Sequence, residues 1–284
     1  MYREPLVAGR FYESNREGLK QQIEQCFQHP LGIGNKDLQA NGRLIAMISP
    51  HAGYMFSGPP ASHGFARLKL EQPLPERVVL LGPKHTQFGA GFSISNAESW
   101  QTPLGLVKVD QDFARNLADA VPDLRLDDAA HRFEHSIEVQ LPFLQHIYQE
   151  KPLKIVPVAL GYTSFGILKN LVEKTKEFFD EVDDLEKNLI IVSSDFSHDT
   201  PREEAYRLDS EVIDRILALD AKGFFDLVDL ENRSVCGLMP IAALLLLIED
   251  LSVKAVRLAY STSMDIMRHE RGVGYASIIF EEAE

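Results

Sequence analysis

The sequence predicts an α/β fold: a single domain, residues 1–284, built on a mostly parallel central sheet with helices on both faces. Three observations carry this. The runs Leu44–Ser49, Val78–Leu81 and Leu189–Val192 are short, rich in Ile, Val and Leu, and bounded by Gly, Pro and Ser, as in strands buried on both faces. Helical patterns alternate with such runs, which favours parallel strands joined by crossovers. No repeat, low-complexity tract or long linker breaks the alternation; the polar stretch Asp180–Lys187 is a weak boundary candidate and reads as a loop.

Taken in order, residues 16–28 read as an N-terminal helix, and 35–43 as a polar connection into the first strand. Ser57–Leu70 reads as a helix starting near Gly58-Pro59-Pro60, because proline is tolerated in a first turn. Gly89–Ser95 is extended, and Thr102-Pro103-Leu104-Gly105 turns the chain into a strand at Leu106–Val109. Asp110–Ala120 follows as a helix. Glu134–Tyr148 is expected to be another, with Ile137, Leu141 and Leu144 on one face and a kink at Pro142. Lys154–Leu160 is a strand and Ile167–Phe179 a helix. Pro201–Leu219 and Ala221–Leu230 are helices, and Val253–Tyr260 and Val273–Phe280 are closing strands.

Of the 284 residues 45% are hydrophobic and 25% charged, ordinary values for a globular domain. The formal charge of -13 argues against a non-specific nucleic-acid binder, which needs clustered Lys and Arg. No apolar stretch approaches the roughly 20 residues that span a bilayer; the longest, Ile241–Ile248, fits a buried helix. Met1-Tyr2-Arg3-Glu4-Pro5 lacks an apolar signal core, so a cytoplasmic protein without membrane contact is expected. Cys26 and Cys236 are expected as free thiols in a reducing compartment.

Each of the three strand-like runs ends on chemistry. Pro50-His51 follows the first, Gly82-Pro83-Lys84-His85 the second, and Ser193-Ser194-Asp195-Phe196-Ser197-His198 the third. Parallel sheets gather their sites at the carboxyl ends of strands. A single histidine there is ordinarily a turn residue bonded to backbone, but two at neighbouring strand ends suit a metal, since neutral imidazole is the commonest ligand. Cys236, just ahead of an apolar helix, is the candidate third donor, with a thiol pKa depressed by a nearby cation and the helix N-terminus. Two imidazoles and a third ligand leave coordination positions open, as in non-haem iron sites.

Asp195 and His198 have two readings: an acid/base pair in which the carboxylate orients the imidazole, or a structural pair with Asp195 capping a turn. His135 and Glu138 fall on one face of the expected 134–148 helix, with helix capping by Glu134 or Ser136 as the alternative. His131 and His135, four apart, imitate a helical zinc pair without a following ligand. Phosphate loops, a G-x-S-x-G elbow and Cys-x-x-Cys pairs are missing from the sequence.

The ordered set Pro50-His51-Ala52-Gly53-Tyr54, Gly82-Pro83-Lys84-His85, Glu134-His135-Ser136-Ile137-Glu138-Val139-Gln140-Leu141-Pro142-Phe143, Ser193-Ser194-Asp195-Phe196-Ser197-His198 and Cys236-Gly237 resembles the Memo family. The likeness runs from Pro5-Leu6-Val7-Ala8-Gly9-Arg10-Phe11-Tyr12 to Val273-Gly274-Tyr275-Ala276-Ser277, essentially the whole chain. It implies a fold similar to class III extradiol dioxygenases, which use non-haem Fe(II) to cleave aromatic diols. By that likeness His51, His85 and Cys236 form the metal or redox site, Asp195 and His198 line the same cleft, and His135 and Glu138 belong to the motif beside it. A cysteine where those dioxygenases use a carboxylate makes ring cleavage doubtful and copper or a redox role plausible, because sulfur is a softer ligand. Lys84, Phe56 and Asp199 depart from common family spellings and leave the ligand set intact.

Two functions therefore stand side by side. One is a metal-dependent, dioxygenase-like oxidoreductase or redox protein holding iron (Fe2+) or copper. The other is a non-catalytic module whose cleft grips a small molecule, a peptide or an anion. A metal-dependent hydrolase is a weaker third reading, for want of paired carboxylates to bridge two metals. Bacterial relatives often accompany a radical enzyme, so the resemblance also implies a pathway partner of that kind.

Overall fold

In the computed structural model, which describes residues 2–149, 151–182 and 188–283, the chain opens with β1 (Tyr2–Arg3), α1 (Arg16–Gln28), β2 (Leu44–Ser49), α2 (Tyr54–Leu68) and β3 (Arg77–Pro83). Short elements follow: β4 (Phe92–Ile94), β5 (Ser99–Thr102), β6 (Gly105–Val109), α3 (Gln111–Ala120), β7 (Arg125–Leu126) and α4 (Ala129–Arg132). A 3-10 turn over Glu138–Gln140 leads into α5 (Leu141–Tyr148), then β8 (Lys154–Leu160), α6 (Phe165–Val182) and β9 (Asn188–Ser193). The last third holds α7 (Arg202–Leu217), α8 (Ala221–Leu230), α9 (Leu238–Leu247), β10 (Val253–Thr262), α10 (Ser263–Ile266) and β11 (Gly274–Glu282).

These strands form one sheet in the order β1-β5-β6-β8-β3-β9-β2-β11-β10, with β4 paired to β8 and β7. The central run β6-β8-β3-β9-β2 is parallel throughout. Antiparallel pairs, β5 with β6 and β2-β11-β10, flank it. The expected α/β class with a mostly parallel sheet is what the chain adopts. Register sets Ser49 beside Ser193 and Leu81 beside Val192, so β2, β9 and β3 leave the sheet side by side at one edge.

Side-chain alternation splits the core in two. Val78 and Leu80 of β3 pack with α1, α2 and α5, while Val79 and Leu81 pack with α3 and α6 to α9. Helix α9 is apolar nearly all round, and Met239 through Leu247 are buried. Each buried Val, Leu or Ile contributes roughly 1.5–3 kcal/mol, and a one-residue slip of a doubly buried strand would exchange its two sets of side chains. That constraint fixes where each strand ends, and hence where its terminal histidine is delivered.

Three sequence expectations need correction. No helix spans Glu134–Tyr148: residues 134–137 are irregular, and Pro142 sits in the first turn of α5, starting the helix rather than kinking it. Helix α2 begins at Tyr54, before the Pro59-Pro60 pair, because Phe11 takes the Tyr54 amide at 2.7 Å and Val139 takes its hydroxyl at 2.7 Å. The expected 180–187 loop belongs to α6 as far as Val182, and residues 183–187 lie outside the described residues. Among the described residues no helix is long and apolar enough to cross a membrane.

Candidate metal centre

His51 and His85 lie just beyond the ends of β2 and β3, and Cys236 lies on the turn before α9. Two glycines let these segments converge. A Cβ on Gly82 would stand 2.6 Å from Ser136 Oγ and 2.7 Å from Ile137 Cγ1, so glycine lets the 134–137 segment press against the end of β3. A Cβ on Gly237 would stand 2.3 Å from Ser194 Cβ, so glycine there draws the Cys236 turn onto the end of β9. As a result one ligand atom from each of His51, His85 and Cys236 lies within 4.8 Å of the others.

Hydrogen bonding fixes which imidazole nitrogens are offered. Ser193 Oγ donates its one hydrogen to the Ser136 carbonyl at 2.7 Å and accepts from Gln140 Nε2 at 2.8 Å. Its contact with His51 Nδ1, at 2.9 Å, must therefore be donated by the imidazole. That leaves a lone pair on His51 Nε2, which faces Cys236 Sγ at 3.3 Å. His85 follows the same logic: Nδ1 donates to Glu134 Oε1 at 2.9 Å, which frees Nε2. Glu134 also accepts the amides of His85 at 2.6 Å and of His135 and Ser136 at 2.9 Å each.

Burial, followed by the neighbouring His135 and His85, holds the His51 imidazolium well below its ordinary pKa, so the ring is neutral. Burial lowers His85 too, but the hydrogen bond and charge of Glu134 outweigh it and the net shift is upward. Glu134, despite burial that raises it, is held well below the usual carboxylate range by His85 and the Ser136 and His85 amides. At Cys236 the helix N-terminus does not prevail over burial, which, reinforced by Asp195, pushes the thiol up rather than down, although its sulfur accepts the Asp195 amide at 3.1 Å. The chemistry still suits a cation: His51 offers a neutral nitrogen, while His85, whose Nδ1 proton is held by Glu134, and the thiol each give up a proton when an ion displaces it.

The remaining sequence candidates fall as follows. Asp195 is buried, and Oδ1 accepts the His51 amide at 2.7 Å; burial raises its carboxyl to about 6. His198 is exposed, and its Nδ1 contacts the Ser234 carbonyl at 2.8 Å while its amide donates to Ser234 Oγ at 2.8 Å. The expected steadying of His198 by Asp195 thus comes from Ser234. His135 stacks on His85 with centroids 5.1 Å apart and meets His51 edge-on at 5.5 Å. Burial lowers its pKa.

Glu138, fully buried, faces the N-terminal segment. It accepts Arg3 Nη1 at 2.7 Å, the Tyr12 hydroxyl at 2.7 Å, and the Leu6 and Val7 amides at 2.8 and 2.9 Å. His131 is buried against Trp100, with both ring nitrogens lacking hydrogen-bond partners, so it forms no metal pair with His135. His85, Glu134 and His135 also lie within 4.8 Å of one another, but the Glu134 oxygens already accept four hydrogens. That carboxylate positions the His85 ring and the His135–Ser136 backbone, which leaves it little free to bind an ion.

Sequence reasoning overlooked Ser193, Gln140, Ser234 and Arg3. Common polar residues become informative only when the fold sets them against a ring nitrogen or a carbonyl.

A family model described as Memo-like protein matches residues 3–279. A MEMO1 family protein of Methanopyrus kandleri is 39% identical over 284 residues, covering 99% of each chain. One of Sulfurisphaera tokodaii is 37% identical over 286 residues, again covering 99% of both. Another, of Nitrosopumilus maritimus, is 36% identical over 285 residues, covering 99% of this chain and 100% of its own. These matches span every segment that carries a donor atom, and the chain belongs to the Memo-like family.

Proposed function

We propose that this protein is a metal-binding redox protein of the oxidoreductase type, with iron or copper held by His51 Nε2, His85 Nε2 and Cys236 Sγ. The observation that supports it is the combination of 4.8 Å proximity with hydrogen-bond networks that point both lone pairs inward. An ion of either kind would supply one-electron and Lewis-acid chemistry at a centre with open coordination positions.

The chain's own groups complete the site. His198, exposed at the rim with Nδ1 on Ser234, moves protons between bulk water and the cleft. Asp195, with its carboxyl raised to about 6, holds or releases a proton at Oδ1 or Oδ2 near neutral pH and fixes the His51 backbone. His135 offers a neutral imidazole for hydrogen bonding to a bound small molecule. Glu138 acts indirectly, by fastening the N-terminal segment beneath the 134–137 stretch. The rival reading, a cleft gripping an anionic ligand, finds less support. The protonated histidines it would use are disfavoured, because burial lowers the pKa of both His51 and His135, and Lys84 gives one of its three N–H groups to the Thr86 carbonyl at 2.6 Å.

The test is iron- and copper-resolved metal analysis of protein purified without oxygen, beside a His51→Ala/His85→Ala variant. Wild type should carry close to one ion per chain and the variant less than a tenth of that. Equal, substoichiometric metal in both would refute the ligand assignment.

A further inference from the structure

On the opposite side of the sheet edge, at the amino end of β8, a groove of about 1130 Å³ runs between α1 and β6. It lies at the upper end of small-molecule pockets, roughly 300–1,000 Å³, and has room for a length of chain. Its charge runs against that of the protein. Arg16, Lys20, Lys108, Lys151 and Lys154 line it with Glu24 as the opposing carboxylate among the described residues, on a chain of formal charge -13.

Part of this charge is left without a carboxylate partner. Arg16 donates to the Leu104 carbonyl at 2.6 Å, which leaves its charge uncompensated. Lys20 and Lys154 face Glu17 and Asp110 at 3.6 and 3.4 Å. Among the described residues Lys108 and Lys151 have no ion-pair partner, and both are exposed.

We propose that this groove docks an acidic polypeptide segment of a partner protein, laid out in extended form with apolar residues interspersed. Arg16 and Lys20 stand one helical turn apart, about 6 Å, close to the repeat of alternate side chains on an extended strand. Acidic residues two apart therefore meet successive cations. Leu106, 59% exposed, stands in the groove as a contact for apolar side chains. Over Gly105–Val107, β6 has β5 on one side and, among the described residues, no strand on the other, because β8 joins it only at Lys108 and Val109. An extended segment can follow that edge. Nucleic acid fits less well: among the described lining residues Tyr148 is buried with its hydroxyl on the Pro75 carbonyl, and the half-buried His146 ring packs on Phe27 at 5.5 Å, so neither offers a base a freely exposed stacking face.

Fluorescence anisotropy tests this with the full chain and a labelled octapeptide, Glu-Ser-Glu-Leu-Glu-Ser-Glu-Leu, beside its Gln-for-Glu counterpart and an eight-nucleotide oligo-dT. Binding should favour the acidic peptide at least tenfold over the Gln form. It should weaken at least tenfold in Lys108→Glu/Lys151→Glu and recover in Lys108→Arg/Lys151→Arg, with thermal unfolding showing all three proteins equally folded. Equal binding of the two peptides, or indifference to charge reversal, overturns the proposal. So does preference for oligo-dT, or a groove-dependent self-association in sedimentation without peptide binding, which would assign the face to a second copy of this chain.

Discussion

Glu134 carries more of the site than its place in the sequence suggests. One carboxylate receives His85 twice, through its amide and Nδ1, and anchors the His135 and Ser136 amides. Replacing it by Gln would set an amide NH2 against the His85 N–H and remove the charge that keeps the proton on Nδ1. Metal affinity of Glu134→Gln should fall 10–100-fold, the usual cost of losing a hydrogen-bond partner behind a ligand, while the fold persists. Chelator competition measures it; affinity within twofold of wild type would show that Glu134 does not set the His85 tautomer. That His51, His85 and Cys236 come together is legible in the sequence, because two histidines stand at the ends of neighbouring strand-like runs and the family resemblance adds the cysteine. Their supports are not. A Ser, a Gln and a Glu have many roles, and only the 2.7 Å bond from Ser193 to Ser136 reveals which atom donates to which.

Among the elements, the central strands are the most legible in the sequence, while the short β1, β5 and β7 carry no run long enough to mark them. Runs such as Leu44–Ser49 and Val78–Leu81 are continuous apolar stretches whose limits coincide with burial on both faces. The Glu134–Tyr148 stretch was misread because its helical spacing is genuine from Leu141 onward, whereas residues 134–137 are held by long-range partners that no local pattern encodes. The N-terminal segment supplies several of them. Arg3 bonds the carbonyls of His131 and Glu134, lies 4.2 Å over the Trp100 ring, and pairs with Glu138. Glu138→Ala would strand a buried guanidinium and two amides, at a cost of about 3–5 kcal/mol. Urea unfolding should register that loss, and hydrogen exchange should quicken over residues 2–12 and 134–137 together. Faster exchange in the first stretch alone would mean that the strap does not brace the metal-side segment.

At the scale of the whole molecule, burying histidines makes stability depend on pH. His131, fully buried beside Trp100, has its pKa lowered from 6.5 to about 4, first by burial and then by Arg3. The unfolded chain therefore binds a proton there more readily than the folded one, so the stabilising contribution is complete above about pH 6.5. It is lost progressively as the pH falls toward about 4. At pH 5 the loss from this residue comes to about 2 kcal/mol, a substantial share of a typical domain's 5–15 kcal/mol. Asp195 works in the opposite sense, because its raised carboxyl takes a proton readily in the folded state as the pH drops. A wild-type profile therefore mixes the two. His131→Phe isolates one: a phenyl ring keeps the edge contact with Trp100 and removes two ring nitrogens that have no hydrogen-bond partners. The variant should be at least as stable as wild type at pH 7, and should lose about 2 kcal/mol less than wild type between pH 7 and pH 5. Paired urea titrations at the two pH values decide it, and parallel losses in both proteins would mean that His131 is protonated as easily inside the fold as in the open chain.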